Sequence, residues 1–332
     1  MNEFKELDCS YCSDSQELLS RLIAEKKVLA LMGPTASGKS QLSMALAHCL
    51  EIEIISVDSA LIYRGMDIGS AKPSVEELEA VPHHLIDIVD PADSYSASEF
   101  VEDVHRLVAE IFSRGRLPVM VGGTMMYFNS LQQGMNELPQ ADPAIREDLQ
   151  RQWREDPQSL HVQLAEIDPV SAQRIHPNDP QRLIRALEVY RASGKTLTEL
   201  RAEPTKKALS AFTLLKVGLI PENRAQLHRQ IETRFMQMLD AGFIKEVEAL
   251  RTSPELHEEL PSIRCVGYRQ AWSYLEGEYD YETFVHKGVV ATRQLAKRQL
   301  TWLRKEEGML VIDPFATTLQ QRLDSVCRLL GQ

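Results

Sequence analysis

The sequence predicts an α/β protein, with a doubly wound parallel sheet at its core and a helical segment inserted into it. Three observations lead there. Short apolar runs alternate with helical patterns through the first third of the chain. Between Gly134 and about Pro204 the text becomes polar and helical, punctuated by X-Pro pairs. Isolated apolar runs then return at 212–220 and 309–312. Strand, helix, strand in this order implies parallel pairing through right-handed crossovers.

Residues 1–27 read as an N-terminal extension. Val28–Met32 (VLALM) is a short apolar run that stops at Gly33-Pro34, which reads as a buried strand ending in a turn. Gln41–Leu50 carries good helix formers and no breaker. Ile52–Val57 (IEIISV) reads as a second strand, Leu85–Val89 (LIDIV) as a third and Pro118–Val121 as a fourth. Between the last two, Ala97–Arg114 places Phe100, Val104, Leu107, Val108 and Ile111 at helical spacing. In the insertion, Asp142-Pro143, Asp156-Pro157, Asp168-Pro169, His176-Pro177 and Asp179-Pro180 bracket short helices, because a residue before proline is biased away from helical geometry. Phe212–Ile220 (FTLLKVGLI) is a further strand, helices follow to about residue 305, and Met309–Ile312 closes the sheet. The expected division is 1–27 as extension, 28–133 as the first part of the core, 134–205 as helical insertion, and 206–332 as core completion with basic helices.

Composition is that of a globular protein, 43% hydrophobic and 26% charged. No apolar run reaches the length of a membrane span and the first 27 residues lack the pattern of a secretory signal, so a cytoplasmic protein without a membrane partner is expected. Cys49, Cys265 and Cys327 are isolated, and Cys9 and Cys12 form a lone CxxC with no second pair beside it. This is no disulfide framework, and a zinc site at Cys9 and Cys12 is not expected. The His83-His84 pair reads as a strand-edge or loop feature rather than a metal site. A net charge of −11 argues weakly against a nucleic-acid partner, yet Pro261–Lys305 holds eight Lys/Arg against four acids. A polyanion feels the local patch within about one Debye length, roughly 8–10 Å.

The most informative stretch is Gly33, Pro34, Thr35, Ala36, Ser37, Gly38, Lys39 and Ser40, which fits G-x-x-x-x-G-K-[ST]. The glycines permit a path that turns backbone N–H groups inward, and the following helix adds its positive end. Lys39 supplies a cation and the Ser40 hydroxyl is placed to ligand Mg2+. The motif lies between an apolar strand and a helix, which is its required context. ATPases and GTPases built this way place an acid at the end of a buried strand to hold Mg2+. Here 118-PVMVGGT-124 ends in two glycines and a threonine instead. The strand after the loop ends at Asp58, at the carboxyl edge where such sheets bind ligands. From position alone, Asp58 reads equally well as a helix cap.

Several motifs then occur in order: Gly33–Ser40, Val57–Tyr63 (VDSALIY), Gly65–Pro73 (GMDIGSAKP), Val121–Tyr127 (VGGTMMY), Gln181–Arg185 (QRLIR), Arg264–Arg269 (RCVGYR) and Thr292–Arg304 (TRQLAKRQLTWLR). Together, over roughly residues 28–310, they resemble the tRNA dimethylallyltransferase family. The resemblance implies a P-loop NTPase-like core whose loop holds dimethylallyl diphosphate in place of ATP. The acceptor it implies is N6 of the adenosine immediately 3′ of the anticodon, presented by a tRNA anticodon stem-loop. It assigns Asp58 as general base, and Thr35, Lys39 and Arg234 as groups acting on the leaving diphosphate. This suits the chemistry, since donors aimed at the departing oxygens help more as the C–O bond breaks, and a carboxylate can take the amine proton. Mg2+ at Ser40 completes the implied set, and the enzyme is expected to act as a monomer.

The resemblance also implies an acceptor surface of Asp58, Ser59, Ala60, Leu61, Thr124, Arg146, Gln181, Arg182, Leu183, Ile184 and Arg185. Further along it adds Arg264, Cys265, Val266, Gly267, Tyr268, Arg269, Lys297, Arg298, Gln299, Leu300, Thr301, Trp302, Leu303 and Arg304. Independent of it, Val289, Ala296, Leu300 and Leu303 form an apolar stripe at 100° per residue, flanked by Arg293, Lys297 and Arg304, with Lys287, Arg298 and Lys305 on another row. In 178-NDPQRLIRALEVYRASG-194, Asn178 or Asp179 can cap, Pro180 fits the first turn and Gly194 can end the helix. Arg182 and Arg185 share its N-terminal face, where positive charge favours an external phosphate partner. Leu61 stands where family members often carry Gln, which makes that contact apolar. Two rival readings remain at this stage, a P-loop small-molecule kinase and a non-catalytic RNA-binding P-loop protein.

Overall fold

The computed structural model describes residues 4, 7–8, 15–134, 138–139, 142–202 and 211–332. The strands are β1 (Lys27–Met32), β2 (Ile52–Val57), β3 (His83–His84), β4 (Leu117–Gly122), β5 (Thr213–Leu219) and β6 (Met309–Ile312). They form one six-stranded sheet in the order β3-β2-β4-β1-β5-β6, and every pairing is parallel. Parallel sheets are covered on both faces, so their strands read as continuous apolar runs rather than alternating ones. β1 and β2 conform. Leu29 and Leu31 enter a core with Leu42, Leu46, Ile52, Ile54, Leu117, Val119, Leu323 and Val326, while Val28, Ala30, Ile55, Val57 and Met120 are equally buried on the opposite face.

The helices follow their local signals. Ala97–Ser113 begins with a capping box in which Ser96 and Glu99 satisfy each other's backbone N–H, and it buries the five apolar positions named above. The Pro143–Glu155, Pro169–Arg174 and Pro180–Ser193 helices each start at an Asp-Pro pair, with Asp142, Asp168 or Asp179 accepting first-turn N–H groups. Gly194 ends the last of them in the left-handed region.

One strand lies elsewhere than expected. Leu85–Val89 is not a strand: Leu85 and Asp87 have φ of 61° and 55°, and only Val89 bridges, to Tyr63. The third strand is the histidine pair, His83–His84, set against Ile54 and Ile55. It is pinned by Glu53, a strand acid 2% exposed, which accepts from Arg114 at 2.7 and 2.8 Å and meets His84 Nε2 at 2.7 Å. Burial raises the Glu53 pKa, but the hydrogen bonds from Arg114 and His84 outweigh it and hold the carboxyl below its ordinary value. Asp87 is drawn the other way, to the Lys72 ammonium.

The chain divides into two compact units, Met1–Ser130 with Ser210–Gln332, and Leu131–Leu209. The first holds the sheet. The second is helical, around a core of Leu149, Leu160, Leu164, Leu183, Leu187 and Val189. Cys9 and Cys12 lie outside the described residues. Cys49, expected to stand alone, is disulfide-bonded; Cys265 and Cys327 form no disulfide.

Candidate active site

The sheet order puts β1 between β4 and β5, with β2 beyond β4. The connections leaving β1 and β4 therefore run in opposite directions, and the crevice between their carboxyl ends is where ligands bind in such sheets. Gly33–Ser40 turns out of β1 into the Lys39–Cys49 helix. Gly38 caps that helix with φ 83°, and Ala36 is also left-handed, at φ 61°. A side chain at Gly33 would meet Ser37 Oγ at 2.6 Å and the Leu219 carbonyl at 3.2 Å. Lys39 Nζ donates to the Pro34 carbonyl at 2.7 Å, folding the ammonium back over the loop. Ser37 Oγ is buried with no hydrogen-bond partner, an orphaned polar atom within the cradle.

Asp58 follows β2 directly. Its Oδ1 accepts from Ala60 N at 2.8 Å, so the carboxylate is held by its own turn and does not cap a helix. The next residue, Ser59, donates its N–H to Thr124 Oγ1 at 3.2 Å, and Thr124 N donates to the Val57 carbonyl at 3.2 Å. The ends of β2 and β4 are thus stitched together. The two glycines before Thr124 make this possible: a Cβ at Gly122 would lie 2.0 Å from the Val57 carbonyl oxygen, and one at Gly123 would lie 2.9 Å from Gly33 O.

Charge at the site is unbalanced. Burial first, then the Arg234 guanidinium, lower the Lys39 pKa from 10.5 to about 7, with Asp58 alone opposing them. Arg234, on the Arg224–Asp240 helix, is also lowered by burial and supported only by Asp58. Two cations share one carboxylate, which is the electrostatics of a site awaiting an anion. Burial, helped by the Asp58 charge, pushes the Cys265 thiol up to about 12 and keeps it protonated beside the carboxylate. A cavity of about 290 Å3 opens over the loop, lined by Ala36–Gln41, Leu61, Ala71, Lys72, Pro73, Glu77 and Arg234.

Comparison with known proteins settles the lineage. The sequence profile of the IPP transferase family matches residues 61–306. The chain is 62% identical over 308 residues to a tRNA dimethylallyltransferase of Hydrogenovibrio crunogenus, covering 93% of this chain and 95% of that one. The chain belongs to the IPP transferase family. A Burkholderia cenocepacia tRNA dimethylallyltransferase is 53% identical over 307 residues, covering 91% and 95%. Among solved structures, the full-length tRNA isopentenylpyrophosphate transferase of Bacillus halodurans superposes with TM-score 0.67 at 35% identity, covering 92% and 96%. A eukaryotic dimethylallyltransferase captured acting on tRNA gives 0.73 at 29%, covering 87% and 74%.

Seen as an IPP transferase, the chain distributes the predicted site residues unevenly. Gly33–Ser40, Arg234 and Leu61 come together; Leu61, expected at the acceptor, lines the cavity over the loop. On the Tyr281–Leu303 helix Lys297, Arg298, Thr301 and Trp302 are exposed, as is Arg304 at its C-cap. Trp302, 47% exposed, stands one turn from Arg298, an aromatic face beside cations of the kind that stacks unpaired bases. Arg264 and Arg269 are exposed as well. Arg293 is not available in the same way, since its Nη2 donates to Glu232 at 2.8 Å. In the helical unit, Arg185 at 2.8 Å and Arg146 at 3.8 Å converge on Glu188, which is fully buried. That fixes the pair in place, while Arg182 pairs with its cap Asp179 at 2.6 Å.

Six of the predicted acceptor residues have side chains turned inward. The side chains of Leu183, Ile184, Tyr268, Leu300 and Leu303 are buried in cores, and Gln299 is 9% exposed and turned inward. Their helices present one apolar face to the interior, and motif membership alone does not separate that face from the outer one. Sequence reasoning also missed three residues. Glu246 accepts from the backbone N–H groups of Asp67, Ile68 and Gly69 at 2.6–3.1 Å and from Tyr268 Oη at 2.6 Å, anchoring the GMDIGSAKP loop. Lys72, in that loop, is buried against Asp67, Asp87 and the Tyr63 carbonyl. Arg322, from the Leu319–Gly331 helix, is 8% exposed and brings Nη1 to 3.0 Å from where a Cβ on Gly38 would stand. The quoted loop motif signalled Lys72; nothing local signalled the other two.

Proposed function

We infer that this chain transfers the dimethylallyl group of dimethylallyl diphosphate to N6 of the adenosine immediately 3′ of the anticodon in tRNA, releasing diphosphate. The observation that carries the reading is the pairing of a two-cation cradle after β1 with Asp58, which follows β2, on the far side of β4, at the same carboxyl edge of the sheet. The loop amides, Thr35, Lys39 and Arg234 take the charge that develops on the leaving diphosphate as the allylic C–O bond breaks. The adenine nitrogen forms the new C–N bond, and its proton passes to the Asp58 carboxylate, so the products are the alkylated base, diphosphate and a protonated Asp58.

The site needs a divalent cation, and Mg2+ is the species the donors favour. The protein offers the Ser40 hydroxyl at the mouth of the loop, and Mg2+ characteristically combines one or two protein oxygens with those of a substrate phosphate. Bound there, it would neutralise charge on the departing diphosphate. In the first unit Arg264, Arg269, Lys297, Arg298, Trp302 and Arg304, with Ser59, Ala60, Thr124, Val266 and Gly267, and in the helical unit Arg146, Arg182 and Arg185, with Gln181, are the groups proposed for the RNA backbone and bases. Single-stranded loop nucleotides suit such a surface, because their faces and edges are free. Among the described residues no helix is long and apolar enough to cross a membrane; a cytoplasmic monomer is the form proposed.

Incubating the purified protein with dimethylallyl diphosphate, Mg2+ and an anticodon stem-loop tests the reading. Mass spectrometry should show the RNA gaining one dimethylallyl group at the expected adenosine. RNA of unaltered mass, together with brisk ATP cleavage, would return the kinase reading.

A further inference from the structure

Gln299 occupies the turn of the Tyr281–Leu303 helix that carries Lys297, Arg298 and Trp302, yet its amide faces the opposite way. Its Oε1 accepts from the Thr35 N–H of the phosphate loop at 2.9 Å, and its Nε2 donates to the Gly123 carbonyl at 3.0 Å. Thr35 is the loop residue with a hydroxyl nearest β1; Gly123 precedes Thr124, whose Oγ1 accepts from Ser59, the neighbour of Asp58. One side chain therefore ties the loop that follows β1 to the end of β4, and through Thr124 and Ser59 that tie extends to the loop after β2. The fit is mutual, because a Cβ on Gly123 would come within 2.3 Å of Gln299 Nε2 and 2.9 Å of the Gly33 carbonyl.

We propose that Gln299 is a positioning residue, one that sets the separation between the diphosphate cradle and Asp58 from the far end of the RNA-facing helix. An amide is suited to the task as no other side chain is. It must accept at one end and donate at the other; without it the Thr35 N–H loses its acceptor, while the Gly123 carbonyl keeps only its bond from the Met125 N–H. Glutamate can accept from Thr35 but repels the Gly123 carbonyl, asparagine is one carbon too short to span, and methionine fills the volume with neither function. The geometric demand is severe, because displacement of a reacting group by about 1 Å costs on the order of a hundredfold in rate.

This inference rests on the transferase reading, and the test separates the two. Wild type, Gln299→Met and Gln299→Glu are assayed for kcat and KM with dimethylallyl diphosphate and stem-loop RNA. RNA Kd is measured separately, and folding is checked by urea denaturation. Gln299→Met should lose about 10- to 100-fold in kcat while RNA Kd stays within about twofold, and Gln299→Glu, keeping one of the two bonds, should fall between. Gly123→Ala should reproduce the kcat loss. A folded Gln299→Met enzyme with wild-type kcat would overturn the proposal, and so would a loss confined to RNA affinity, which would make Gln299 an RNA contact. Failure of the wild type itself to alkylate RNA would sink the transferase reading instead.

Discussion

Lys39 makes donor binding a proton-linked event. Its pKa of about 7 means that about half of the molecules hold an uncharged amine at neutral pH. An arriving diphosphate restores the ammonium, so association takes up a proton at this residue. Above pH 7 affinity should fall about tenfold per unit, roughly 1.4 kcal/mol each, or about fiftyfold between pH 7 and pH 9. Calorimetry with a non-reactive thiolo analogue of dimethylallyl diphosphate and Mg2+, in two buffers of different ionisation enthalpy, measures both slope and proton uptake. Lys39→Arg is the control: its guanidinium stays charged, so its affinity should be flat over this range and the ligand's own ionisation cancels between the two proteins. The same shift acts on stability with a definite sign. The unfolded lysine keeps its proton up to about 10.5 and the folded one releases it near 7. The penalty is therefore fully present below pH 7 and disappears as pH rises towards 10.5. Lys39→Met should thus raise the Tm of the unliganded protein while weakening donor binding. Equal slopes for wild type and Lys39→Arg, with heats independent of buffer, would refute the argument.

Asp58→Asn should cut kcat by about 10²- to 10⁴-fold, the range of general-base catalysis, and leave RNA Kd unchanged in a filter-binding assay. Arg182→Ala and Lys297→Ala should each flatten the log–log salt dependence of RNA binding by about 0.7–0.9 if each contacts one phosphate; an unchanged slope removes that residue from the RNA surface. Gly122→Ala forces a methyl group against the Val57 carbonyl, and urea denaturation should show a loss of about 1–3 kcal/mol or more. Glu246→Ala orphans the amides of Asp67, Ile68 and Gly69; it should cost about 3 kcal/mol or more and loosen the loop that carries Lys72, seen as faster amide exchange at those positions.

What could be read in advance follows from where each element's stability comes from. β1, β2 and β4 are covered on both faces, so they spell themselves out as apolar runs, and the motif after β1 is contiguous because backbone path is what it encodes. β3 failed the same test. Two histidines form it, and its hold comes from pairing with Ile54 and Ile55 and from Glu53. Leu85–Val89 looks more strand-like but is wound through positive φ by contacts of Asp87 and Ile88 with Lys72 and Arg64. Arg234 came only through resemblance, since helical spacing makes it one charge among many. Glu246, and the inward bonds of Gln299, were beyond reach: their partners are backbone atoms 177–179 residues away for Glu246 and 176 and 264 residues away for Gln299, and no local pattern encodes a bond to a distant amide.

The absent acid at the end of β4 has a steric cause rather than merely a chemical one. Position 122 lies against the Val57 carbonyl and position 123 against Gln299, at separations no Cβ tolerates. An aspartate there could not coexist with the stitching of β4 to β2 or with the clip on Thr35. Those same contacts hold Ser59, and with it Asp58, in register with the phosphate loop. Giving up the carboxylate on β4 is thus the geometric condition for having a well-placed one on β2. There it suits the role proposed for it, in a reaction at carbon whose base must sit beside the incoming nitrogen rather than behind a metal. A chain with Asp at position 123 would need Gln299 shortened and the Gly33 turn moved, and would lose that registration in the exchange.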